Sequence, residues 1–333
     1  MSEPPALEIR GLHVTFTAQG REIPAVRGVD LTIERGQTLA LLGESGSGKS
    51  VTAKAVMGLL DQPNARVRFE TARLGGRDLL AMDAEQLRAL RGSEMTLVFQ
   101  DALSALNPVL SVGDQIGELF RVHRGLSRKE ARARSIEMLD LVGIPAAAKR
   151  IDDYPHQFSG GMRQRILVAM AVALEPDLII ADEPTTALDV TVQAQILELI
   201  DRLRRDLGTA VLLITHDLGV AAEVSDRIAV MYAGRIVEGG EVGELYERPA
   251  HPYTEALLAA IPDLDSPASE LRAIPGAPPS PAEVPPGCSF APRCARASEI
   301  CGRSRPPLTA LRAGSGRYVA CHHAEEMLDG ALT

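Results

Sequence analysis

The chain has 333 residues, 45% hydrophobic and 24% charged, with a formal net charge of −9 from 35 basic and 44 acidic residues. That length holds one large core and an accessory domain. The acidic balance argues against a nucleic-acid binder, whose footprint is usually basic. No apolar run approaches the roughly 20 residues of a membrane span. The longest, Ile166–Leu174, ends at Glu175-Pro176. Met1–Arg10 has neither the basic start nor the apolar run of a signal peptide. A soluble protein is expected, with docking onto a membrane partner open.

Leu7 to Phe16 alternates apolar and polar residues as a half-buried strand does, and Val29–Ile33 repeats the pattern. A Gln-Gly turn lies between them, so the two predict an antiparallel layer. Phe16 either offers a π-face to a purine base or is a plain core aromatic; periodicity does not separate the two. Leu39–Leu42 predicts a short buried parallel strand, and Val51–Leu60 a helix. Between them lies Gly43-Glu44-Ser45-Gly46-Ser47-Gly48-Lys49-Ser50, which fits G-x-x-x-x-G-K-[ST] in its required strand–loop–helix setting. Glycines let such a loop approach phosphate closely while its N–H groups converge on the anion. The helix that follows adds the positive end of its dipole. Lys49 can reach the terminal phosphates and Ser50 can hold Mg²⁺. The chain therefore reads as a nucleoside triphosphate binder.

Met95–Phe99 is an apolar run ending at Gln100, followed by Asn107-Pro108 and an all-helical block. Its helices are expected over Ser111–His123 and Ser127–Val142, the second opened by a Ser127/Glu130 capping box. Ser159-Gly160-Gly161-Met162 opens a further helix, Arg163–Leu174, with Ser159 as N-cap and backbone N–H groups exposed at a positive helix end. Leu178–Asp182 is a buried strand ending in Asp182 and Glu183. Acids at the carboxyl end of a parallel strand face the ligand edge of the sheet. The first supports Mg²⁺ in phosphate-loop enzymes, and the second is placed to polarise a water. After the helix Val192–Leu207, the strand Ala210–Thr215 ends at His216. That histidine either contacts a γ-phosphate and the attacking water or is a surface residue. A hairpin (Ile228–Tyr232, Arg235–Val237), a helix from Glu241 to Tyr246 and His251-Pro-Tyr-Thr254 follow. From Pro262 the chain becomes proline-dense, as in an extended linker, and a domain boundary is expected there.

Taken together, these motifs resemble the ATP-binding subunit of an ABC transporter. The matching pieces are the Walker A loop Gly43–Ser50, Gln100 after a strand, the signature Ser159-Gly-Gly-Met162, Walker B at Leu178–Asp182, Glu183, the Ala187-Leu188-Asp189 turn and His216. They run in order over about residues 7 to 250. The dipeptide/oligopeptide importer branch, which includes nickel importers, is similar in Phe158–Arg165, Phe99–Pro108, His251–Leu258 and the cysteine-bearing tail. Met162 stands where most ABC proteins have glutamine, and Ala102 and Ala105 replace the branch's usual proline and serine.

The resemblance implies an α/β fold: a P-loop ATPase with a RecA-like parallel core, an antiparallel β layer and a helical insertion from Leu103 to about Val172. The ATPase domain would span 1–261, and 262–333 would be a linker and a small C-terminal domain. It implies ATP and Mg²⁺ as ligands. The loop Gly43–Ser50 with Val51 would cradle phosphate, and Phe16 would stack adenine. Ser50, Asp182 and Gln100 would form the Mg²⁺ shell, Glu183 would be the general base, and His216 would sense the γ-phosphate. Ser159 and Gly160 would complete a head-to-tail partner's ATP site, and Gly161 and Asp189 are further nucleotide-binding residues. The implied partners are a second, different ATPase subunit, two membrane permeases reached through the helical insertion, and an extracytoplasmic solute-binding protein, with no nucleic acid. The implied place is the cytoplasmic face of the membrane, and the implied cargo peptides. The alternatives are nickel or another small solute, and a soluble nucleic-acid-acting ABC ATPase.

The tail spacing is C-x5-C-x6-C-x19-C over Cys288, Cys294, Cys301 and Cys321, with His322 and His323 following. Zinc sites usually carry C-x2-C pairs, which are absent. Four thiolates suit a [4Fe–4S] cluster, which some relatives carry in this tail. Cluster, zinc and four plain thiols remain open. If a cluster is present, Arg293, Arg296, Arg303 and Arg305 could offset its charge.

Overall fold

The computed structural model describes residues 3–60, 62–99, 105–185, 189–260, 274–311 and 316–330. The chain divides into two compact units: Met1–Leu7, Thr32–Gln37 and Arg73–Ile214 in one, and Glu8–Leu31, Thr38–Ala72 and Thr215–Thr333 in the other.

In the unit that holds the N-terminal strands, β1 (Leu7–Ala18) turns at Gln19-Gly20, both at positive φ, into β2 (Arg21–Ile33). β2 starts well before the expected Val29. Its first half is half-exposed and carries no apolar alternation to read. β4 (Ala65–Arg68) pairs antiparallel with β1, Val14 opposite Val67 and Phe16 opposite Ala65. The buried strand β3 (Thr38–Leu42) runs parallel to β10 (Arg227–Tyr232), with Leu39 opposite Arg227 and Leu42 opposite Val230. All five residues of β3 are buried, as in a strand covered on both faces. β10 turns at Ala233-Gly234 into the antiparallel β11 (Arg235–Glu241), as the hairpin pattern predicts. β13 (Tyr318–Val319) pairs with β11, and β12 (Thr309–Ala310) with β13, so C-terminal residues lengthen this sheet. Its core joins Leu42, Val230, Tyr232 and Val237 to Tyr253 and Phe290. The boundary expected at Pro262 lies outside the described residues.

In the other unit, β7 (Met95–Val98), β8 (Leu178–Asp182) and β9 (Ala210–Ile214) are parallel, Met95 opposite Leu178 and Asp182 opposite Ile214. β5 (Thr71–Leu74) and β6 (Arg77–Asp78) form a small hairpin through Arg73 and Leu74. β4, β5, β6 and the helix Ala84–Leu90 were not expected from the sequence. The three strands are too short and too charged to show an apolar period. Helices span Val112–Arg124, Arg128–Leu141, Gly160–Val172 and Val190–Leu207. The expected capping box forms: Ser127 Oγ accepts from Glu130 N, and Glu130 Oε2 accepts from Ser127 N at 2.9 Å. Helix Arg128–Leu141 buries Ala131, Ser135 and Leu139, one face at four-residue spacing. Leu103, the expected start of the helical insertion, lies outside the described residues. Among the described residues, no helix is long and apolar enough to cross a membrane.

Candidate nucleotide site

The loop between β3 and helix Lys49–Val56 is shaped by glycines that nothing else can replace. Gly43 has φ 149°, and a Cβ there would fall 2.2 Å from Met231 O. Gly48 has φ 109°, and its Cβ would fall 2.7 Å from both Ala25 O and Met231 Cε. The loop thus lies flush against the β10–β11 turn, where Gly234 N donates to Ser47 O at 2.8 Å. Gly48 caps the helix with no side chain, and the first turn holds no acid, so the positive helix end stays open toward an anion. Lys49 is buried, and its Nζ donates to Gly43 O at 2.6 Å and Glu44 O at 3.1 Å, so the ammonium closes over the loop. Ser47 Oγ is buried and has no hydrogen-bond partner. A flush glycine loop, an ammonium at its mouth and an orphaned hydroxyl fit a bound polyphosphate. Ser50 follows Lys49 in the first helical turn, where its hydroxyl suits a hard cation such as Mg²⁺.

Glu44 is held at three points. Its N–H donates to Tyr253 Oη at 2.9 Å and its C=O accepts from Lys49. Its carboxylate takes a fork from Arg293, Nη1 to Oε2 at 2.6 Å and Nη2 to Oε1 at 2.9 Å. Arg293 also donates to Pro275 O at 2.9 Å and to Tyr232 Oη at 3.3 Å. The rings of Tyr232, Tyr253 and Phe290 pack mutually beneath it, with centroids 4.5 to 5.4 Å apart. Burial raises the Tyr253 and Tyr232 phenols above their ordinary range, so both stay neutral, and the carboxylate of Glu44 raises the Arg293 guanidinium. The sequence reading missed Tyr253 and Arg293 as loop holders. Spacing carries no trace of a contact made 249 residues away.

The same unit holds Phe16 and His216. Phe16 is half-buried and stands outside the closed core that takes Leu12 and Val14. His216 is exposed, just after Thr215, whose N–H meets Leu41 O at 3.4 Å. Ser45 and Gly46 form the exposed tip of the loop, and Val51 is half-buried in the helix.

The other unit gathers the remaining described candidates. Asp182 ends β8 and is 8% exposed. Glu183 follows at φ 49°, a left-handed conformation uncommon outside glycine, with its N–H donating to Ile214 O at 2.9 Å. A strained acid at the carboxyl end of a parallel strand is a mark of functional sites. Ser159 caps helix Gly160–Val172, its Oγ accepting from Met162 N at 3.3 Å. Asp189 caps Val190–Leu207, Oδ1 accepting from Val192 N at 2.9 Å. Gly161 lets these two helices meet: a Cβ there would fall 2.6 Å from Val192 Cγ1. Gln100, the stretch through Ser104, and Ala187 and Leu188 of the expected turn lie outside the described residues.

Comparison with known proteins settles the family. Residues 26–186 match the family ABC transporter, and residues 237–301 match the oligopeptide/dipeptide transporter C-terminal region. The dipeptide transport ATP-binding protein DppD of Bacillus subtilis is 50% identical, over 91% of this chain and 90% of that protein. The chain belongs to the ABC transporter ATP-binding proteins of the oligopeptide/dipeptide type. The oligopeptide transport ATP-binding protein AppD of Bacillus subtilis is 46% identical over 96% of this chain and 97% of that protein. The ATP-binding cassette MJ0796, solved as a dimer in a post-hydrolysis state bound to ADP and Pi, matches with a TM-score of 0.63 and 28% identity, over 71% of this chain and 98% of that one. The α/β fold is accordingly that of a P-loop ATPase of the ABC type.

The cysteine tail of this ABC protein bears on the readings left open for it. Among the described residues, no group of three or more His, Cys, Asp or Glu side chains is arranged to hold a metal ion. The four thiols are free. Burial pushes Cys288 and Cys294 up and takes Cys321 to about 11, and neighbouring thiols add to each shift. The described arrangement therefore gives no support to a [4Fe–4S] cluster or to zinc. Three of the four nearby arginines already face carboxylates. Arg293 is committed to Glu44, Arg296 faces Glu255 at 3.5 Å, and Arg303 pairs with Glu299.

Proposed function

We propose that this chain is the ATP-hydrolysing subunit of a peptide importer, coupling ATP binding and hydrolysis to uptake through partner permeases. The observation that carries the reading is the glycine loop Gly43–Ser50, closed by Lys49 and pressed against the β10–β11 turn. The importer half rests on relatives about half identical in sequence along nearly the whole chain, which are named for dipeptide and oligopeptide transport.

In this reading Lys49 and the loop N–H groups bind the ATP phosphates, and Phe16 faces the adenine. Ser50, Asp182 and Gln100 would hold Mg²⁺, which would supply positive charge at the phosphates. Glu183 accepts the proton of the attacking water, and His216 orients against the γ-phosphate. Ser159, Gly160, Gly161 and Asp189 complete the ATP site of a second ATPase subunit. The work is positioning and charge stabilisation, as in phosphoryl transfer generally. The subunit sits peripherally on the cytoplasmic face of the membrane, against two permeases that receive cargo from a solute-binding protein.

The test is to tag the chain, solubilise membranes gently and identify what co-purifies. Two permeases, a second ATPase and a solute-binding protein loaded with peptide are expected. A binding protein loaded with nickel would redirect the cargo. Recovery from the soluble fraction with nucleic acid would overturn the transport reading.

A further inference from the structure

We propose that Arg293, outside every ATP motif, is a positioning residue for ATP: it neutralises and pins Glu44 so that the phosphate loop accepts a polyanion. The proposal rests on the ATPase reading above.

Glu44 is the second residue of the phosphate loop, the one loop position that carries a negative charge. A carboxylate there repels an incoming triphosphate unless a cation cancels it. Lys49 Nζ donates to the backbone carbonyls of Gly43 and Glu44, and Arg293 donates twice to the Glu44 carboxylate. The Arg293 side chain is 4% exposed and that of Glu44 27%, so the pair is shielded far more than a surface salt bridge. The planar fork fixes the carboxylate in orientation as well as in charge. The guanidinium is itself fixed by Pro275 O, Tyr232 Oη and the flanking rings of Tyr232 and Phe290. Arg293 lies between Cys288 and Cys294, in a short turn closed by Cys294 N to Ala291 O at 3.3 Å. The loop's affinity for ATP is thereby tied to the packing of the cysteine segment. The two are connected through one ion pair and through Tyr253, which grips the Glu44 N–H.

Charge and structure make different predictions. If Arg293 serves the loop, R293Q leaves Glu44 as an uncancelled negative charge beside the phosphates. If the pair is mere scaffolding, ATP affinity is indifferent to it. The experiment measures Mg²⁺·ATP affinity of the purified full chain by calorimetry, and KM and kcat in the assembled transporter, for wild type, R293Q, R293K, E44Q and E44Q/R293Q. R293Q is expected to weaken ATP binding about tenfold, the scale of a lost charge-assisted bond, with kcat at saturating ATP little changed. E44Q alone is the reference for the double variant, since it removes the carboxylate while Arg293 stays. E44Q/R293Q is expected to recover most of the affinity lost in R293Q, because the repelling carboxylate is gone. R293K, with charge but no fork, is expected to fall between wild type and R293Q, and it carries the test if R293Q does not fold. Unchanged affinity in R293Q and R293K, or no recovery in the double variant, would overturn the proposal. A wild-type chain that binds no ATP would instead remove the ATPase reading beneath it.

Discussion

Arg317 and Glu238 form a buried ion pair that ties β11 to the C-terminal segment, Nη2 to Oε1 at 2.9 Å, with the Glu238 side chain 0% exposed. Glu238 also accepts from Ala250 N at 2.8 Å and His251 N at 3.0 Å, and Arg317 also donates to Arg248 O. The pair thus gathers three stretches of chain around one carboxylate. Removing one partner leaves a charge with neither water nor counter-ion. R317M is expected to lower the unfolding free energy by about 3–5 kcal/mol, read from urea denaturation of the purified chain. A loss below about 1 kcal/mol would mean that water reaches Glu238 as readily as it reaches a surface pair.

His251 sets a pH dependence of stability. Its ring is buried, its Nδ1 accepts from Tyr253 N at 3.0 Å, and desolvation lowers its pKa from 6.5 to about 3. The unfolded chain therefore takes up the proton first as pH falls. Stability from this site is complete above about pH 6.5 and is lost from there toward about pH 3, at up to about 1.4 kcal/mol per pH unit. H251N keeps an acceptor at this helix cap but has no proton to bind. The difference in unfolding free energy between wild type and H251N should shrink as pH drops from 7 to 5. A constant difference would show that the imidazole titrates normally in the folded chain.

Glu183→Gln separates binding from turnover. Loss of a general base typically costs about 10²–10⁴-fold. In the assembled transporter, E183Q should lose at least about a hundredfold in ATP turnover while ATP affinity holds. Near-normal hydrolysis would take Glu183 out of that role.

Gly43→Ala tests the loop itself. The added methyl meets Met231 O, a backbone atom that cannot step aside, at a φ that L residues rarely adopt. G43A should abolish measurable ATP binding by calorimetry and lower the unfolding midpoint, whereas G46A, also at positive φ (78°) but with nothing within 4 Å, should lower it less, by backbone strain of about 1–2 kcal/mol alone. Equal thermal shifts in the two variants would refute the close approach as the cause.

Most strands were legible where burial wrote a period. β1, β3, β8, β9 and the β10–β11 hairpin came from alternation or short apolar runs, and the helices Arg128–Leu141 and Gly160–Val172 from their serine caps. β4 to β6 were not, because strands of two to four residues rich in arginine leave no pattern. The cysteine tail was ambiguous in another way. Four thiols close in sequence suggested ligands among other readings, but among the described residues no group assembles around a metal.

The sequence by itself determined the phosphate loop, the order of the motifs and the family, because those depend on residue type at fixed local spacing. Only the tertiary structure decided what holds the loop. Tyr253 and Arg293 reach Glu44 from 209 and 249 residues away. Contacts of that range are made by the folding of a sheet whose last strands come from the C-terminus, and no local pattern encodes them.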